Sequence, residues 1–122
     1  MRRLGGRGEG SGTMTINEYQ KRAMHTLNPA LSRQEVLMDS ALGLCGESGE
    51  VADLLKKHLM QGHPFDREKF ARELGDVAWY LAEAATALDM ELEEILQMNI
   101  EKLKKRYPEG FNVEKSIHRE VE

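Results

Sequence analysis

An all-α fold is predicted by three features of this 122-residue sequence. Leu, Ala, Glu, Lys and Met are common while Val and Ile are few, a bias toward helix. Two Ser/Thr-x-x-Glu capping boxes each precede a run of apolar residues at helical spacing. No stretch of useful length alternates apolar with polar residues as a half-buried strand would. Four helices joined by short connections are expected, and they suggest an antiparallel four-helix bundle.

The first helix opens on Thr15-Ile16-Asn17-Glu18, with Thr15 as N-cap and Glu18 reaching back from N3. Ile16, Tyr19, Ala23, Met24 and Leu27 form its apolar stripe, and Asn28-Pro29 ends it. Ser32-Arg33-Gln34-Glu35 opens the second helix, whose stripe reads Leu37, Ala41, Leu44, Val51, Leu55 and Leu59, with Ser48 filling the gap. Gly43, Gly46 and Gly49 interrupt it. Each glycine costs up to about 1 kcal/mol relative to Ala inside a helix, so either another group approaches closely or the helix breaks near Gly43.

After the loop Gln61-Gly62-His63-Pro64-Phe65, Asp66 caps a third helix with Phe70, Leu74, Val77, Ala78, Leu81, Ala85 and Leu88 expected inward. Asp89 marks a cap or turn. A fourth helix is expected from about Glu91 to Tyr107, with Leu92, Ile95, Leu96, Ile100 and Leu103 inward, stopped by Pro108-Glu109-Gly110. The methionines Met24, Met38, Met60, Met90 and Met98 are read as gap-fillers of an all-α core. Residues 1–13 are read as a flexible Gly-rich tail with Met14 as an alternative start, 14–111 as the helical domain and 112–122 as a polar tail.

Composition narrows the function. Hydrophobic residues make up 40% and charged residues 31%, with a net charge of −4. No basic block offers a nucleic-acid footprint. No apolar run reaches the length of a membrane span, and the basic start lacks the apolar core of a secretory signal. One cysteine, Cys45, cannot form an internal disulfide and is expected to pack as a small apolar residue. A cytoplasmic protein is the expectation.

The chemistry concentrates in two pairs of acids, Glu47 and Glu50 on the second helix and Glu73 and Asp76 on the third. Members of each pair stand three residues apart, about 60° on a helical wheel, and so share a face. Four carboxylates converging from facing helices are costly unless a cation lies among them. A hard divalent ion with oxygen ligands, Mg²⁺ first and Mn²⁺ as a substitute, is the simplest occupant. That arrangement suits cleavage of a phosphoanhydride, with a carboxylate not used in ligation deprotonating the attacking water. Lys56 and Lys57, two turns past the first pair, are candidate phosphate-binding cations, as are Lys102 and Arg106 with Asn99 a turn earlier. The last pair also suits a helix C-terminal dipole. Tyr80 falls one turn beyond Asp76. His58 and His63 are poor metal candidates, because no carboxylate-His helix motif accompanies them.

These segments resemble the MazG-like nucleotide pyrophosphohydrolases of the all-α NTP pyrophosphatase superfamily. The likeness is carried by Gly43-Leu44-Cys45-Gly46-Glu47-Ser48-Gly49-Glu50-Val51-Ala52-Asp53, by Glu73-Leu74-Gly75-Asp76-Val77-Ala78-Trp79-Tyr80, and by Asn99-Ile100-Glu101-Lys102-Leu103-Lys104-Lys105-Arg106-Tyr107-Pro108. It covers roughly residues 16–111. The resemblance implies Mg²⁺-dependent hydrolysis of a nucleoside triphosphate, a dNTP or a noncanonical NTP, to the monophosphate and pyrophosphate. It implies metal ligation and catalysis by Glu47, Glu50, Glu73 and Asp76, substrate contacts from Asn99, Lys102 and Arg106, and Tyr80 at the site. It also implies a homodimer or homotetramer whose subunits complete each other's sites, and a role in clearing unwanted nucleotides. Trp79 could stack on a base, but its place beside the apolar stripe favours the core. Two other readings are a helical nucleotide-binding or interaction module that has lost activity, and a purely structural cation-binding bundle.

Overall fold

The computed structural model describes residues 13–119; the expected Gly-rich tail up to residue 12 lies outside the described residues. Five helices follow in order: α1 (Ile16–Met24), α2 (Arg33–Gln61), α3 (Arg67–Ala87), α4 (Leu92–Arg106) and the short α5 (Val113–Ile117). No strand occurs among the described residues, so the fold is all-α.

The starts of the helices are written locally. Thr15 Oγ1 accepts from the Glu18 N–H at 3.1 Å, and the Glu18 carboxylate takes the Thr15 N–H at 2.9 Å. Ser32 and Glu35 repeat the exchange at α2. Asp66 accepts from the Lys69 N–H to cap α3. At α4, Glu91 is the N-cap and its N–H bonds the Glu94 carboxylate at 2.8 Å. α2 ends at Gly62, whose φ of 75° is the left-handed conformation that favours glycine. Asp89 takes φ 60° in the α3–α4 turn, where the Met90 N–H closes onto the Ala85 carbonyl. α2 runs unbroken through Gly43, Gly46 and Gly49, so the expected alternative of a break does not occur.

α2 and α3 pack side by side along most of their length as an antiparallel hairpin, the largest contact of the fold. α1 and α4 pack on α3 and on each other. Gln20 is the joint of that second contact. Its amide donates to Thr86 Oγ1 and the Met90 carbonyl, and its oxygen accepts from the Leu92 N–H at 2.6 Å. Trp79 pins α1 to α3 by donating from Nε1 to the Ala23 carbonyl and to Thr26 Oγ1 at 2.9 Å. The half-buried indole packs against the core of Ala23, Ala82, Ala85 and Leu92.

The core is thin and corrects several expectations. Ala23, Val36, Ala82, Ala85, Ala87 and Leu92 are the buried apolar residues. Leu74, Leu81 and Leu88, expected inward on α3, are exposed, as are Leu37, Leu55 and Leu59 of α2 and Leu96, Ile100 and Leu103 of α4. The buried line of α3 is instead its small residues, which let α1 and α4 approach closely. The leucines face outward from the single chain. Met38, Met60 and Met98 are exposed rather than core gap-fillers, and Cys45 is an exposed thiol. Within the polar C-terminal stretch, Asn112 caps α5 through the Lys115 N–H, and the helix runs five residues.

Candidate metal centre

The α2–α3 hairpin sets its acids opposite each other. Ligand oxygens of Glu47 from α2 and of Glu73 and Asp76 from α3 all lie within 4.8 Å of one another. Glu47 and Glu73 are half-buried, while Asp76 is exposed. Glu47 carries the strain of this arrangement. Its Oε1 is shut off from solvent with no hydrogen-bond partner. Its carboxyl is pushed above the usual carboxylate range by desolvation first, then by hydrogen bonding to Glu73 and the charges of Asp76, Glu73 and Glu50.

A buried carboxylate oxygen facing two other carboxylates calls for a proton or a cation. An oxygen-only donor set of three acids from two helices, open on one side, fits a hard divalent ion such as Mg²⁺. Glu50 is exposed and outside the trio, although its charge acts on Glu47. Three of the four predicted acids therefore come together, and the fourth stands at the rim.

Tyr80 follows on α3, its ring packed against α2 at Gly43, where any Cβ would overlap it. This contact explains one of the three α2 glycines. Gly46 and Gly49 have nothing near them in the single chain. The phenol of Tyr80 is pushed up by partial burial, then by the charges of Asp39, Glu47, Glu83 and Asp76. Its ring also stands edge-on to Trp79, with centroids 5.0 Å apart.

Two groups escaped the sequence reading as site residues. Tyr19 of α1, read there as a stripe residue, has its phenol raised by burial and by the charge of Asp76, which places α1 at the rim of the acids. Glu83, fully buried, continues the line of Glu73, Asp76 and Tyr80 at a spacing of three, four and three. That spacing was the available signal.

The predicted cations divide. Lys57 bridges Asp53 on its own helix at 3.1 Å, and Lys56 reaches the same carboxylate at 3.5 Å. Lys57 in turn holds Asp53 below the usual carboxylate range. Asn99, Lys102 and Arg106 lie on α4, with Lys102 and Arg106 half-buried and Asn99 exposed. His58 is occupied with its own loop, through the His63 carbonyl at 2.8 Å and the Phe65 ring. A separate groove of about 650 Å³, lined by Asn17, Gln20, Met24, Thr86 and Glu91 among others, contains none of the clustered acids.

A helical hairpin presenting paired acids defines an all-α protein with a candidate cation site. Residues 38–111 match the family model described as the MazG nucleotide pyrophosphohydrolase domain, which takes in both acidic pairs and α4. The match covers more than half of the chain, and the chain belongs to that family. It is also similar to the Gene 37 protein of Mycobacterium phage L5, at 40% identity over 73 residues, which is 57% of this chain and 64% of the phage protein. The similar stretch thus spans less than two thirds of that relative's length. No solved structure matches the chain.

Proposed function

We propose that this chain is a Mg²⁺-dependent nucleoside triphosphate pyrophosphohydrolase that releases a nucleoside monophosphate and pyrophosphate. Its substrates would be dNTPs or noncanonical NTPs, cleared from the cytoplasmic nucleotide pool, and residues 14–111 would form the working domain. The observation that carries this reading is the convergence of Glu47, Glu73 and Asp76 with one buried Glu47 oxygen lacking a donor. Membership of the family supports the same chemistry.

In this reading Glu47, Glu73 and Asp76 hold the metal. Bound there, Mg²⁺ would neutralise phosphate charge and polarise the bond to be cleaved. Glu50, exposed beside the trio and outside it, is the carboxylate left to accept a proton from the attacking water. Tyr80, held by Gly43, borders the substrate, and Lys57, Asn99, Lys102 and Arg106 supply donors to phosphate and sugar. Lys57 has to exchange its Asp53 partner to do so.

The working unit in this reading is a homodimer or homotetramer, in which the apolar faces close into a full helical bundle. The support is the exposed row on α2, including Leu37, Met38, Leu42, Leu59 and Met60, together with Met98 and Ile100 of α4. So much exposed apolar surface beside so small a core marks an association face. Among the described residues no helix is long and apolar enough to cross a membrane.

Pyrophosphate release from a panel of NTPs and dNTPs, with and without Mg²⁺, tests the reading. Turnover of at least one nucleotide only when the metal is present is expected. No turnover on any nucleotide would leave a module that kept the fold and lost the reaction. Light scattering on the purified chain tests the assembly, and a monomer at micromolar concentration would remove it.

A further inference from the structure

Glu83 is the largest fully buried side chain of the described residues, and it is an acid. Both of its carboxylate oxygens lack a hydrogen-bond donor. An ionised carboxylate can only accept, and burying one without a donor is among the costliest arrangements a fold can contain. The group facing it is Asp39 of α2, itself a carboxylate but exposed to solvent. Two carboxylates cannot bond each other until one of them holds a proton. The buried partner, deprived of water, is the one that keeps it.

We infer that Glu83 is a positioning residue: it retains a proton, donates it in a hydrogen bond to Asp39, and through this neutral clasp between α3 and α2 sets where Tyr80 stands beside the metal-binding acids. Glu83 lies one heptad beyond Asp76, with Tyr80 between them on the same face of α3. Asp39 lies one turn before Gly43, the residue against which the Tyr80 ring packs. The clasp and the glycine seat therefore hold the ring from adjoining turns of α2. Burial, then hydrogen bonding to Asp39 and its charge, push the Glu83 carboxyl up to about 7, which agrees with a proton held near neutrality. The role at the site rests on the hydrolase reading above. The clasp itself does not.

The test compares the full wild-type chain with Glu83→Gln, which keeps a neutral donor, and with Glu83→Leu, which fills the space and donates nothing. Replacing a buried acid by an apolar group of similar volume is often tolerated by the fold. Infrared spectra near neutral pH are expected to show the carbonyl stretch of a protonated carboxylic acid in the wild type and its loss in Glu83→Gln. Absence of that band from the wild type would mean an ionised Glu83 and would overturn the clasp.

On a nucleotide found to be a substrate, Glu83→Gln is expected to keep KM within about twofold, whereas Glu83→Leu raises KM about fivefold, the value of one hydrogen bond. A Glu83→Leu enzyme with wild-type KM and kcat would overturn the positioning role. Should the wild type cleave no nucleotide, the hydrolase reading fails separately. The infrared band then still decides the clasp, and the Tyr80 ring resonances, expected to move in Glu83→Leu and not in Glu83→Gln, decide whether it seats the tyrosine.

Discussion

Two acid clusters of the α2–α3 hairpin are built from the same residue types and behave differently. At the open one, midway along the hairpin, Glu47 meets Glu73 and Asp76, with Glu50 nearby. At the other Asp39 meets Glu83 alone, and Glu83 is sealed from solvent. Three acids around an opening can be neutralised by a divalent cation entering from water. Two acids with one sealed inside have room only for a shared proton. Carboxylate pairing across helices therefore does not by itself define a metal site. The number of acids and the access of solvent decide which positive species fills the gap.

The sharpest way to break this contrast is to remove one acid of the open cluster. Asp76→Asn is expected to lower kcat on the order of a hundredfold or more through lost ligation. Glu50→Gln is expected to lose a similar factor while keeping the Mg²⁺-induced gain in stability, since Glu50 lies outside the trio. Near wild-type rates for either variant in saturating Mg²⁺, in a pyrophosphate-release assay, would remove its assigned role.

Next in size is the response to metal. Ligand at a hundred times its Kd stabilises the folded chain by about 2.7 kcal/mol. Millimolar Mg²⁺ should accordingly raise the melting temperature of the wild type, but not that of Asp76→Asn. A thermal scan indifferent to Mg²⁺ and Mn²⁺ would leave the open cluster of the hairpin without its cation.

Glycine substitutions sharpen the comparison between the inner and outer sides of α2. At Gly43 a methyl group overlaps the Tyr80 ring, and such overpacking costs about 1–3 kcal/mol. At Gly46 the methyl group meets nothing in the single chain, so Gly46→Ala is expected to gain up to about 1 kcal/mol of helix stability. Urea unfolding separates the two. Destabilisation by Gly46→Ala would show that another copy covers that side.

The last expected effect, confined to a window of pH, concerns the sealed acid pair. The Glu83 carboxyl is raised in the folded chain, from an ordinary value of 4.5 to about 7. The folded state then holds a proton that the unfolded chain releases. Stability from this group is fully present below about 4.5 and is lost as pH rises through about 7. The melting temperature of Glu83→Gln, measured against the wild type, should climb as pH rises from 5 to 7 and level off above it. A constant difference across that range would show that Glu83 does not titrate there.

Much of the fold was legible because its signals are local. The Thr15 and Ser32 capping boxes and the Asp66 cap formed as read, each within four residues of sequence. The acids of the open cluster were legible for a related reason, since Glu73 and Asp76 fall on one face by helical spacing alone. What escaped depended on packing across the chain. The small residues of α3, rather than its leucines, line the core because α1 and α4 approach closely there, and periodicity cannot rank a leucine face against an alanine face. Glu83 is buried by packing across the chain, which its helical spacing from Asp76 and Tyr80 does not encode. The convergence of α1 on Asp76 through Tyr19 depends on how α1 docks, which no spacing within α1 encodes.

The indole pin of Trp79 gives the protein a built-in optical reporter. This tryptophan, the sole one in the sequence, holds α1 by its N–H and touches the Tyr80 ring on its other side. Its emission therefore senses both the grip of the first helix and the setting of the tyrosine beside the acids. On the proposed reading, stopped-flow fluorescence of the unlabelled chain would follow nucleotide and metal arrival without any dye attached.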